Sequence, residues 1–275
     1  MKKLLLILAL CLLCAFTLTA CNNDNPPVED NPTSDNQNQD NNQNDDNQND
    51  DNQNDDNQND DNQNDVVVYS EGLAFTSNGD GTCSVSGIGN CTSTDIVIPA
   101  ISPTGEIVVG IGNRAFSNDS MYGFTYKTIT SISLPNTITT IGYGAFSYCD
   151  LITEIIIPDS VVEIGGNAFT LCTSLTSIEI PESVTSIGTA AFSGCSSLTS
   201  IEIPNSVTTI GSSAFWGCKS LTSIGISDSV ITIGSSAFQY CTSLTIYCEA
   251  TSEPSGWDYG WNSSNRPVVW GYKEN

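Results

Sequence analysis

Ala191-Phe192-Ser193-Gly194-Cys195-Ser196-Ser197-Leu198-Thr199-Ser200-Ile201-Glu202-Ile203-Pro204-Asn205-Ser206-Val207-Thr208-Thr209-Ile210-Gly211 is one unit of a repeat, and its copies decide the fold. Phe146, Phe169, Phe192, Phe215 and Phe238 recur every 23 residues. Gly142, Gly165, Gly188, Gly211 and Gly234 keep the same step, as do Cys149, Cys172, Cys195, Cys218 and Cys241. Pro135, Pro158, Pro181 and Pro204 repeat too, and Ser227 stands where the next proline is due. An earlier copy holds Gly112, Ala115 and Phe116, and its extra residues fall within 118–127. A fixed period between about 20 and 50 residues, held over five or more copies, means a solenoid of stacked coils.

The physics of one coil follows from its residues. In the coil before the quoted one, Ile178 and Ile180 point one way and Glu179 the other, the period of a short strand. Pro181 has no N–H to continue a ladder, so the strand ends there. Val184 and Ile187 return apolar side chains to the interior, and Gly188 permits a tight turn. Ala191, Phe192 and Cys195 fill the far side, predicted as a short helical turn. A single coil buries too little to be stable, so like stacks on like. The expected fold class is a mainly β repeat solenoid with short helical turns, 23-residue coils, a parallel sheet on one face, and ladders of Phe and Cys inside.

The order Phe, Cys, Leu, Ile, Pro, Val and Gly in this unit resembles the BspA-type leucine-rich repeat of bacterial surface proteins. The resemblance covers about residues 107–246; the first unit lacks the Cys, and the interval 218–241 lacks the Pro. It implies adhesion to host matrix proteins or to other cells, and it names no ligand.

Outside the repeats the chain divides by composition. Residues 1–20 combine Lys2 and Lys3 with the apolar run from Leu4 and a small-residue end, the pattern of a secretory signal peptide. Leu18-Thr19-Ala20-Cys21 resembles the lipobox of bacterial lipoproteins, which implies that Cys21 is the acylated N-terminus of the mature protein. A diacylglycerol carries two chains, enough for stable attachment to the membrane. Residues 21–65 are the acylated Cys and a disordered Asn/Asp/Gln-rich tether, in which Asp-Asn-Gln-Asn-Asp repeats from Asp46 to Asp65. Val28 is its one aliphatic residue, so nothing there offsets the entropy of ordering. It spans roughly 35 Å as a flexible chain. Residues 66–106 form an N-terminal β cap, with a hairpin signal at Asn78-Gly79-Asp80-Gly81 and a first strand at Asp95-Ile96-Val97-Ile98. The solenoid is set at 107–246 and an aromatic C-terminal cap at 247–275, where Trp257, Tyr259, Trp261, Trp270 and Tyr272 cluster. Those rings either cover the last Phe and Cys rungs or offer a sugar-binding surface; capping is favoured, because an uncapped solenoid exposes apolar edges.

Composition removes several functions. The chain holds 31 acids against 7 bases and has a net charge of −24, which disfavours nucleic acid and anionic membrane surfaces. The membrane is therefore a partner through the lipid anchor alone. There is no His, hence neither the commonest general base nor the commonest metal ligand. Ladder cysteines spaced by 23 do not suit a metal site and have no cation to activate them, so they read as buried free thiols. Cys83 and Cys91, eight residues apart in an exported chain, are a candidate disulfide. Glu179 and Glu202 share an outward strand position in neighbouring coils, with Glu154 two places earlier in its own unit. Carboxylates about 5 Å apart approach the spacing of a retaining glycosidase, but an open strand face has no cleft to hold a sugar. The sequence therefore predicts no catalytic residue, no metal and no cofactor. The candidate binding residues are Glu154, Ser177, Glu179, Ser200, Glu202 and Ser223, facing an extracellular protein or glycan. The expectation is a lipid-anchored, outward-facing cell-surface binding module; the alternative is a structural spacer or coat protein without a specific ligand.

Overall fold

The computed structural model describes residues 69–119 and 129–273. The signal peptide, Cys21 and the tether lie outside the described residues, as does most of the 118–127 insertion. Two sets of short strands line the coils. The first forms an eight-stranded sheet that starts with β1 (Ala74–Ser77) and β2 (Thr82–Gly87), an antiparallel hairpin around the predicted turn. From β2 onward every pairing in it is parallel: β4 (Ile107–Ile111), β6 (Thr140–Ile141), β7 (Glu163–Ile164), β9 (Ser186–Ile187), β11 (Thr209–Ile210) and β13 (Thr232–Ile233). The second set pairs β3 (Asp95–Val97) with β5 (Ser131–Ser133), β8 (Ser177–Glu179) with β10 (Ser200–Glu202), and β12 (Ser223–Ile226) with β14 (Thr245–Cys248) and β15 (Val268–Trp270), all parallel. The stacked strands thus begin at Thr82, before residue 107, and run on through Trp270.

The columns expected inside are there. The rings of Phe116, Phe146, Phe169, Phe192, Phe215 and Phe238 stack with centroids 5.3–5.7 Å apart, and all are buried. Ile178 and Ile180 are buried while Glu179 is exposed, and Val184 and Ile187 return to the core. Burying a side chain of this size stabilises by about 1.5–3 kcal/mol, so each coil contributes several such terms to one continuous core.

The expected helical turn does not form; among the described residues there is no helix. The segment after Gly188 is a run of four-residue turns, with Ala191 N donating to Gly188 O, Cys195 N to Phe192 O and Leu198 N to Cys195 O. Two features forbid a helix. Ala190 and Gly194 sit at positive φ (55° and 74°), which reverses the chain's hand once per turn. The N–H groups of Ala190, Phe192 and Gly194 donate to Ser212, Ala214 and Trp216 of the next coil at 2.6–2.9 Å, so they are not available to carbonyls four residues back.

The disulfide candidate is also different. Cys83 and Cys91 are two buried free thiols. Cys83 points inward from β2 with Sγ 3.9 Å from the carbonyl of Glu106, whereas Cys91 closes the turn that begins at Ile88. At the other end two tryptophans of the aromatic tail pack on the last coil. Trp261 meets Phe238 edge-on at 5.9 Å, and Trp257 packs on Trp261 at 4.8 Å while its Nε1 donates to Val230 O. Both are buried, and Asp258 N donates to Ile233 O, continuing the ladder past β13.

Candidate functional site

The candidate face is the outward side of the second strand set. Because successive strand side chains point to opposite faces, burying Ile178 and Ile201 sends Ser177, Glu179, Ser200 and Glu202 into solvent. Parallel pairing then sets Ser200 beside Ser177 and Glu202 beside Glu179. Ser223 opens β12 one coil later and is exposed too. Gly225 takes the carboxylate position there, and a Cβ built on it would touch nothing within 4 Å, so the carboxylate column stops at an open step. Further along, Gly225 pairs with Tyr247, whose ring lies 5.0 Å from that of Tyr272.

Glu154 joins the group differently. It is exposed and falls 23 residues before Ser177, in the serine column, on a segment that forms no strand. The place equivalent to Glu179 belongs to Ile156, which is 83% exposed. Counting back 23 from Glu179 finds it in the sequence, but an apolar residue in an apolar run reads as core. A row of hydroxyls borders the face: Thr176 and Thr199 extend the backbone ladder through Oγ1 to the carbonyls of Thr153 and Thr176 at 3.1 and 3.2 Å. Asp159, Glu182 and Asp228, exposed directly after Pro158, Pro181 and Ser227, form a second acidic row that the sequence reading passed over.

Glu179 and Glu202 stand on an open face with no wall to exclude water. A hollow of about 200 Å³ lined by Tyr69, Leu73, Phe75, Pro99, Ile101 and Pro103 shares no residue with them. Among the described residues no group of three or more His, Cys, Asp or Glu gathers to hold a metal ion.

The thiol ladder is built for packing. Cys149, Cys172, Cys195, Cys218 and Cys241 are buried free thiols, each donating to the carbonyl of a Phe in the preceding coil at 2.9–3.2 Å. Burial pushes Cys149 and Cys195 up to about 12, and Cys172 well above the ordinary thiol range. At the C-terminal end the neighbouring thiols of Cys218 and Cys241 shift each other, Cys218 upward and Cys241 downward, and Arg266 also favours Cys241 as thiolate. A nucleophile needs an exposed thiolate, and Cys241 has no exposed surface.

Comparison with known proteins agrees with this architecture. Residues 117–245 match the BspA type leucine rich repeat region in six copies. A leucine-rich-repeat protein of T. pallidum is 28% identical over 65% of this chain and 80% of its own, with a TM-score of 0.57. A leucine-rich repeat protein from Bacteroides ovatus is 24% identical, covering 75% of this chain and 71% of its own, with a TM-score of 0.39. A leucine rich cell surface protein from Faecalibacterium prausnitzii is 19% identical, covering 76% and 98%, with a TM-score of 0.35. No curated protein matches the chain by sequence. The fold is a leucine-rich-repeat solenoid.

Proposed function

We propose that this leucine-rich-repeat solenoid is a binding module of the bacterial cell surface, exported through residues 1–20, held in the membrane by a lipid on Cys21, and used for adhesion. The observation that carries the reading is the register of β8 and β10, which places Ser177 with Ser200 and Glu179 with Glu202 in two exposed columns. Rigid strands present these groups at a fixed spacing of about 4.8 Å, so a partner meets a preformed pattern and little ordering entropy is lost. Acidic and hydroxyl groups suit an extracellular protein with a basic surface, or a glycan. The similarity to the BspA type repeat region supports the location; the basic n-region and Leu18-Thr19-Ala20-Cys21 support the anchor.

The test is capture of matrix proteins and glycans on an array by the folded chain, with the double variant Glu179→Gln/Glu202→Gln as control. Loss of about 1 kcal/mol or more of binding in that variant, larger at low salt, is the expected result. Equal capture by both chains removes the strand face from the function. Retention of a Cys21→Ser variant in the membrane fraction would remove the lipid anchor independently.

A further inference from the structure

We propose that the corner carrying Trp216, Lys219, Tyr240 and Arg266 is a second binding site, for an acid-bearing saccharide. It lies on the turns after the Phe column, and it does not depend on the strand face being used.

The stack has no need of large rings at this corner. The positions in register with Trp216 hold Ser147, Thr170, Ser193 and Gln239, yet Trp216 is 38% exposed. The positions in register with Tyr240 hold Gly217 and Gly194 in the two coils before it, the residue type that tolerates left-handed backbone, and Leu171 and Tyr148 further back, all at positive φ. Tyr240 adopts φ 62° there and is 52% exposed, so it bears conformational strain without burying its ring. The two rings meet edge to face, 5.3 Å apart at 86°. Their backbone is fixed: Trp216 O accepts from Gly194 N at 2.6 Å, Gly217 N donates to Gln239 O at 2.7 Å, and Tyr240 N donates to Ser264 Oγ at 3.2 Å. The result is a rigid, two-walled aromatic platform.

Charge at this corner departs from the rest of the molecule. Beyond residue 128 the bases are Lys219, Arg266 and Lys273, and two of the three come here. Lys219 is exposed, at the position held by Ser196 and Thr242 in the neighbouring coils. Arg266 reaches that same row, with Nη1 on Thr242 O at 3.0 Å and Cys241 O at 3.4 Å, and with Nε and Nη2 on Ser264 O. Of five guanidinium N–H groups one is left over, and the orientation is locked. No acid occurs in residues 203–227, 229–248 or 259–272.

These groups select one ligand chemistry. An aromatic face stacks on the C–H face of a sugar ring, and an ammonium or guanidinium takes a carboxylate through charge-assisted hydrogen bonds. A neutral sugar would leave the cations unused, and an acidic peptide would leave the rings unused. A nucleic acid meets a chain with a net charge of −24.

Isothermal titration of the folded chain with hexagalacturonate, a hyaluronan hexasaccharide and sialyllactose tests this, with cellohexaose and polyglutamate as controls. At least one acidic saccharide is expected to bind more tightly than either control. Trp216→Ala and Tyr240→Ala should each weaken it about tenfold, while Trp216→Phe, which keeps a ring, largely restores binding. Lys219→Gln should weaken binding and flatten its salt dependence. Glu179→Gln/Glu202→Gln should leave it unchanged, which separates this site from the strand face. Melting curves of the variants show whether each is folded. Absence of binding by all three acids, equal binding of either control, or an unaltered Trp216→Ala variant overturns the proposal.

Discussion

At the residue scale the ladder thiols tie the fold to pH. Cys149 and Cys195 are held protonated up to about 12, because burial penalises the thiolate. In the unfolded chain the same groups ionise near 8.5. The folded pKa lies above the unfolded one, so the stabilisation is complete below the ordinary thiol value and is lost as pH rises. Between roughly pH 9 and 12 each such thiol should lower stability by about 1.4 kcal/mol per pH unit. Denaturant unfolding at pH 7, 9.5 and 10.5 measures the slope. Cys195→Ala should make it shallower by one thiol's share, and an unchanged slope would show that this thiol ionises as readily in the fold as outside it.

At the element scale the coil contact decides more than the strand. Gly188 was expected to serve a tight turn, but its φ is not among the positive values. The constraint is the neighbouring coil: a Cβ on Gly188 would lie 2.5 Å from Gly166 N and 2.6 Å from Gly165 C. Gly188→Ala must push two coils apart and should cost about 3 kcal/mol, the upper range for forced overpacking. Gly225→Ala, whose Cβ would meet nothing, is the matched control. Equal melting points for the two variants would refute the close-approach account. The same contrast shows what was legible in advance. The Phe and Cys columns, the inward Ile178 and Ile180 and the hairpin at Asn78–Gly81 follow from spacing and alternation. The eight-stranded sheet was not legible, since Thr209–Ile210 is too short to show a period. Nor were the turns: Ala190 and Ser213 hold φ 55° and 56°, and neither residue type announces it. In the candidate site, Glu179 and Glu202 could be paired by counting, whereas Trp216 and Tyr240 are 24 residues apart, off the repeat step. They become neighbours through the edge-to-face contact of adjacent coils.

At the scale of the whole molecule each coil touches its neighbours, so stability is close to a sum of interfaces and the ends are the weak points. The N-terminal end is closed by the hairpin strand β1 on β2. The C-terminal end depends on the tail: Trp261 covers the last Phe ring, Trp257 bonds to Val230 O, and Gly260 O accepts from Ser236 N. Fraying should therefore start where this cover is removed. Trp261→Ala takes away a buried ring worth about 3–5 kcal/mol. In a one-dimensional stack that loss is felt first by the coils beside it. Amide hydrogen exchange should then speed up in residues 232–248, while residues 140–187, several coils away, keep their protection. Uniform acceleration along the stack would mean that the coils open as one cooperative unit, and unchanged exchange at 232–248 would mean that the tail rests on the solenoid without holding it closed.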